Sequence, residues 1–110
     1  MEEPKEIPTI YIGETDIHTW LHGDGKPILM PELLVGCEEL LYNDLDEVRC
    51  ARVEVLVRKV HKAFDFSVKK EDIDDTLGKI LDWALYEEEY EMCQRVKELQ
   101  KIINEREYRF

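Results

Sequence analysis

Three histidines, three cysteines and one glycine-lysine turn are the residues of this chain whose types could support chemistry. His18 and His22 stand four apart with Asp24 close behind, a donor set suited to a divalent metal. On an extended strand the two imidazoles would be about 13 Å apart, and only a turn or a helix would bring both to one ion. Cys37, Cys50 and Cys93 are widely spaced and form no Cys-x-x-Cys pair, so burial is expected rather than thiol chemistry. His61, between Val60 and Lys62, could serve as a base beside a cysteine or carboxylate, but no motif places such a pair together. Gly23-Asp24-Gly25-Lys26 has the residue types of a phosphate-binding loop without its spacing or its following Ser or Thr, and reads as a turn. No catalytic residue, metal or cofactor is assigned from these residues. A small enzyme using His61 or a cysteine stands as one alternative reading.

The elements that must carry any site follow from length and patterning. A chain of 110 residues with 44% hydrophobic side chains supports one core, and 1–110 is read as a single domain. Residues 1–8, with Pro4 and Pro8, are expected to form a flexible arm. Ile10/Ile12 and Ile17/Thr19/Leu21 keep strand parity, and the glycine-rich turn then predicts a β-hairpin from Ile17 through Met30. Pro31 suits the first turn of a short helix carrying Leu33, Leu34, Cys37, Leu40 and Leu41, ending near Tyr42 and Asn43. Val53, Val55 and Val57, then Phe64, Phe66 and Val68, alternate with polar residues and predict two strands joined around Lys59 to Lys62. A helix from Asp44 to Ala63 competes, although its valines lower helix propensity. Residues 71–106 read as a helical hairpin. Ile73, Leu77, Ile80, Leu81, Ala84 and Leu85 form one apolar face, and Met92, Val96, Leu99 and Ile103 form the other. The resulting fold class is α+β: one or two β-hairpins, a short helix and a C-terminal antiparallel helical hairpin.

The formal charge of -11 disfavours direct nucleic-acid binding, because phosphate contacts normally use Lys and Arg. The charge is unevenly spread: residues 49–70 carry +5 between acidic flanks, and residues 71–91 carry -8. Such a distribution favours attraction to a basic protein surface, and it also keeps a domain soluble. No apolar run is long enough to span a bilayer, and Glu2 and Glu3 replace the basic start of a secretion signal. With an odd number of cysteines at wide spacing, a reducing, cytoplasmic compartment is expected.

Residues 84–99 contain Tyr90-Glu91, Met92-Cys93, Arg95, Val96 and Lys97-Glu98 across a short acidic connection. This stretch resembles the UVR motif, a helical hairpin of bacterial excision-repair subunits and some stress regulators. Met92 and Cys93 are larger than the alanines usual there, and Lys97 stands where an acid is usual. The resemblance implies contact with another protein, and it implies neither nuclease nor helicase activity.

The leading expectation is a non-catalytic protein-interaction or regulatory module. Trp83, Tyr86, Tyr90, Met92, Arg95, Val96 and Leu99 form its contact set, a part of which can instead be core. The partner is another protein, basic or itself nucleic-acid-binding, and a homodimer is compatible with the sequence. A second alternative is an acidic inhibitor that imitates phosphate spacing with Asp74, Asp75, Glu87 and Glu88.

Overall fold

The computed structural model describes residues 7–107. The elements run β1 (Thr9–Tyr11), α1 (Ile17–His22), α2 (Lys26–Tyr42), β2 (Glu47–Val57), β3 (Val60–Lys69), a 3-10 turn (Lys70–Asp72), α3 (Ile73–Tyr86) and α4 (Tyr90–Glu107). A three-stranded mixed sheet has the order β1-β2-β3, with β1 parallel and β3 antiparallel to β2. The fold is a small α+β domain that closes with a packed pair of helices, α3 and α4. Of the expected N-terminal arm, residues 1–6 lie outside the described residues, and the Pro8 carbonyl accepts the Arg52 N–H at 2.9 Å.

The hairpin expected from Ile17 through Met30 is replaced by two helices. Asp16 caps α1, accepting the Thr19 backbone N–H at 3.1 Å and its hydroxyl at 2.9 Å. These bonds satisfy donors that a helix start leaves open, which strand parity does not register. The Trp20 carbonyl then accepts Gly23 N–H at 3.2 Å and Gly25 N–H at 2.7 Å, turning the chain into α2. Gly25 is needed there because a Cβ would sit 2.5 Å from the buried Trp20 ring. α2 thus begins five residues before Pro31 and encloses it, with Pro27 at the tolerant helix start.

Both α2 and α3 stop in the same way. Asp44 (φ 52°) and Glu88 (φ 59°) take the left-handed conformation, and the next residue's N–H returns to the helix: Leu45 to Leu40 O and Glu89 to Ala84 O, each at 2.8 Å. This closure satisfies terminal carbonyls at positions where glycine is the usual choice.

The β2–β3 hairpin is present, and the competing helix over 44–63 is not. Its turn lies at Arg58-Lys59, slightly before the expected joint, with φ of 48° and 66°. Two positive φ angles give the mirror-image turn whose twist matches a hairpin. A bulge at Cys50 interrupts the pairing between Arg49 and Ala51. Its consequence is a change of parity: Val48 and Cys50 are buried before it, and Ala51, Val53 and Val55 after it. Arg49 and Arg52 consequently share the outer face, where they hold Asp65 from both sides at 2.8 and 2.9 Å.

The bulge also divides the core. On one side, Trp20, Leu29, Ala51, Val53 and Val55 pack with Ile10, Ile17, Leu21 and Phe66. On the other, α2 lies between the sheet and the α3–α4 pair, and Leu34, Cys37 and Leu40 meet Leu77, Ile80, Val96 and Leu99. Packing on several sides explains why α2 is apolar around most of its circumference. Gly36 permits its closest approach to β2, since a Cβ there would lie 2.2 Å from Cys50 Sγ.

Candidate functional site

α3 presents two stripes. Ile73, Leu77, Ile80 and Ala84 are buried, while Lys79, Asp82, Trp83 and Tyr86, spaced by three, one and three residues, share a second face. That second stripe forms one wall of a groove of about 520 Å³. Leu21 and His22 of α1 and Lys26 and Met30 of α2 form the other wall. The Asp16 cap and the Gly25 turn place this second wall, because they set the angle at which α1 meets α2.

Leu21, Met30 and Trp83 are partly buried and packed on the two cores, which gives the groove an apolar floor held in place from below. Tyr86 is 85% exposed at the end of α3, with its ring free to meet a ligand and its hydroxyl in water. Lys79 pairs with Asp75 at 3.2 Å along the helix surface, an exposed pair of small energetic weight. Lys26 has no ionic partner among the described residues.

The residues singled out in the sequence fall into three groups. Trp83 and Tyr86 line the groove, and Tyr90 is 66% exposed at the start of α4 but does not line it. Met92, Val96 and Leu99 are buried between α4 and its neighbours, so their side chains hold the helices together and offer no contact surface. Arg95 turns to α2 instead of outward: its Nε donates to Glu38 Oε2 at 3.1 Å and its Nη2 donates to Glu38 Oε1. This two-pronged bond ties α4 to α2 in a half-buried setting. Asp74, Asp75, Glu87 and Glu88 are all exposed, in two groups at opposite ends of α3. A helix rise of 1.5 Å per residue puts those groups roughly 18 Å apart.

The other candidate chemistry is dispersed. α1 does bring His18 and His22 one helical turn apart, but no group of three His, Cys, Asp or Glu converges among the described residues. All three cysteines are buried, and none forms a disulfide among the described residues. Burial, reinforced by nearby Cys50, pushes the Cys37 thiol up to about 12, the opposite of what a thiolate nucleophile requires. His61 is exposed on the outer face of the sheet, where its ring meets Tyr11 edge-on at 6.0 Å, away from the groove. No helix among the described residues is long and apolar enough to cross a membrane.

The groove's α3 wall was legible in the sequence through Trp83 and Tyr86. Leu21, His22, Lys26 and Met30 were missed because they were assigned to a hairpin. The overlooked signal was Asp16 three residues before Thr19, a helix-start pairing. Comparison with protein-family models, with curated proteins and with solved structures finds no match to this chain.

Proposed function

We propose that the domain is a non-catalytic protein-interaction module that receives an apolar side chain of a basic partner protein in the groove between the α1–α2 corner and α3. The observation that carries this reading is the pairing of a core-anchored Trp83 with a nearly fully exposed Tyr86 on one wall of a concave, apolar-floored groove. Large aromatics held at the centre of a patch, ringed by polar residues, are the usual carriers of binding energy.

Charge supports the choice of a basic partner. The groove's own lining holds Asp82 with Lys26 and Lys79, Asp24, Glu87 and Glu88 stand within two residues of lining positions, and the whole chain carries -11. Such a field speeds the encounter with a basic surface, while the apolar contact determines how long the complex lasts. The resemblance of residues 84–99 to the UVR hairpin is consistent with this reading, since it too implies contact with a protein.

The test is affinity capture from the native extract with the wild-type domain, Tyr86→Ala and Glu87→Lys/Glu88→Lys, at low and moderate salt. The proposal expects a stoichiometric protein that survives moderate salt and is lost with Tyr86→Ala while the domain stays folded. A nucleic-acid enzyme that is indifferent to Tyr86→Ala but released by salt or by the charge reversals would instead favour the acidic-inhibitor reading.

A further inference from the structure

Among the described residues the outer edge of β3 pairs with no strand, and it lies on a different part of the molecule from the groove. Which backbone groups it offers follows from the pairing. Arg52 and Leu56 donate their N–H groups toward the β1 side, to Pro8 O at 2.9 Å and Gly13 O at 2.8 Å. The alternate residues Val53, Val55 and Val57 must therefore turn theirs toward β3, where they oppose Phe64, Lys62 and Val60. It follows that His61, Ala63, Asp65 and Ser67 direct their N–H and C=O groups outward from the sheet. This edge is ten residues long, about twice the usual strand, and contains no Pro or Gly. Natural edges of that length are normally interrupted or covered. Here Val57, Val60 and Phe64 are also exposed at the hairpin tip, on the helix-facing side.

The geometry points to a second copy of this chain as the occupant: two β3 edges pair antiparallel about a two-fold axis at Ala63, extending the sheet to six strands. In that register His61 stands opposite the second copy's Asp65, Lys62 opposite its Phe64, and Val60 opposite its Phe66, each twice by symmetry. Every opposed pair is compatible: an imidazole N–H with a carboxylate, an ammonium stem with an aromatic ring, and two apolar side chains. Asp65 can still accept after binding Arg49 and Arg52, because each carboxylate oxygen has two lone pairs. Moving the axis disrupts this: centring on Lys62, one residue away, opposes two ammonium groups, and centring on Asp65, two residues away, opposes two carboxylates. Centring on Phe64 sets His61 opposite Ser67 and Asp65 opposite Ala63, which loses both imidazole–carboxylate contacts. Since outward-facing residues share one side of the sheet, the helices of both copies lie on the same side, and the partner's Phe66 arrives beside the exposed Val60.

Sedimentation velocity of the full chain over a range from micromolar to several hundred micromolar tests this. The wild type is expected to shift from monomer to dimer. Ala63→Pro, which removes only an outward N–H, is expected to stay monomeric. His61→Asp, which opposes two pairs of acids, is expected to weaken association on the order of tenfold. Ala63→Cys is expected to form a cross-linked dimer under mild oxidation, because opposed Cα atoms about 5.5 Å apart fall within disulfide reach; the three native thiols are buried. A wild type that stays monomeric throughout overturns the proposal. So does a dimer that forms while Ala63→Cys fails to cross-link, which also decides the matter if Ala63→Pro does not fold.

Discussion

Replacing Gly36 by alanine sets two effects of known size against each other. In an α-helix the change from glycine to alanine gains about 0.8–1 kcal/mol from reduced backbone entropy. Against this, the added methyl would lie 2.2 Å from Cys50 Sγ and 3.6 Å from Val68 Cγ2, in a part of the core where neither neighbour can swing into solvent. Overpacking of that kind costs typically about 1–3 kcal/mol, so Gly36→Ala is expected to destabilise by up to roughly 2 kcal/mol net. Cys50→Ala alone leaves a void where the sulfur was and is expected to cost about 1–2 kcal/mol. The two together place the new methyl where Sγ had been, so the double variant should lie near or above the wild type. That corresponds to a coupling energy of roughly 1–4 kcal/mol. Urea unfolding followed by tryptophan fluorescence reports all four corners of the cycle, since Trp20 is buried and Trp83 partly so. If Gly36→Ala raised stability by its propensity value with no coupling to Cys50, the close approach of α2 to the β2 bulge would be wrong.

Three further outcomes follow from particular contacts. Arg58→Asn with Lys59→Gly relieves two side-chain residues held at positive φ and should stabilise the domain by roughly 1–2 kcal/mol in the same assay; a loss would contradict the assigned turn. Glu38→Gln weakens the bond between α2 and α4 and should cost about 1 kcal/mol, whereas Lys97→Gln on the exposed face of α4 should cost nothing measurable. The Arg52 hydrogen bond, with Arg49 beside it, holds the Asp65 carboxyl below its ordinary value of 3.8. Because the folded state lowers this pKa, its stabilisation is present above that value and is lost as pH falls through the folded pKa. Asp65→Asn should therefore flatten the acid limb of the stability profile below pH 4 and leave its shape near neutrality unchanged.

The parts legible in the sequence were those where one periodicity had no rival. Ile73, Leu77, Ile80 and Ala84, then Met92, Val96 and Leu99, repeat at helical steps over many residues, and both helices formed where expected. The valines of β2 outweighed a helical alternative through their branching. α1 was misread because six residues are too few to separate periods: Ile17, Thr19 and Leu21 satisfy strand parity, while Ile17, Trp20 and Leu21 satisfy the helical one. The cap from Asp16 decides between them. The Cys50 bulge left no signature because Cys-Ala fits either face of a strand. Nor did Arg58, Lys59 and Glu88 advertise their positive φ angles, being residue types that seldom adopt them. For the site, Trp83 and Tyr86 were visible as aromatics beside the core stripe, whereas Arg95 resembled a surface contact until Glu38 was found opposite it.

The proposed function requires a partner protein to seat against Trp83 and Tyr86. The most direct measurement replaces Tyr86 with a photoreactive phenylalanine analogue in the cell of origin, with the same probe at Lys97 as the control on an exposed face away from the groove. One discrete adduct with a basic protein is expected from position 86, lost when Trp83→Ala is added, and no such adduct from position 97. Equal labelling from both positions, or none from position 86, would contradict it.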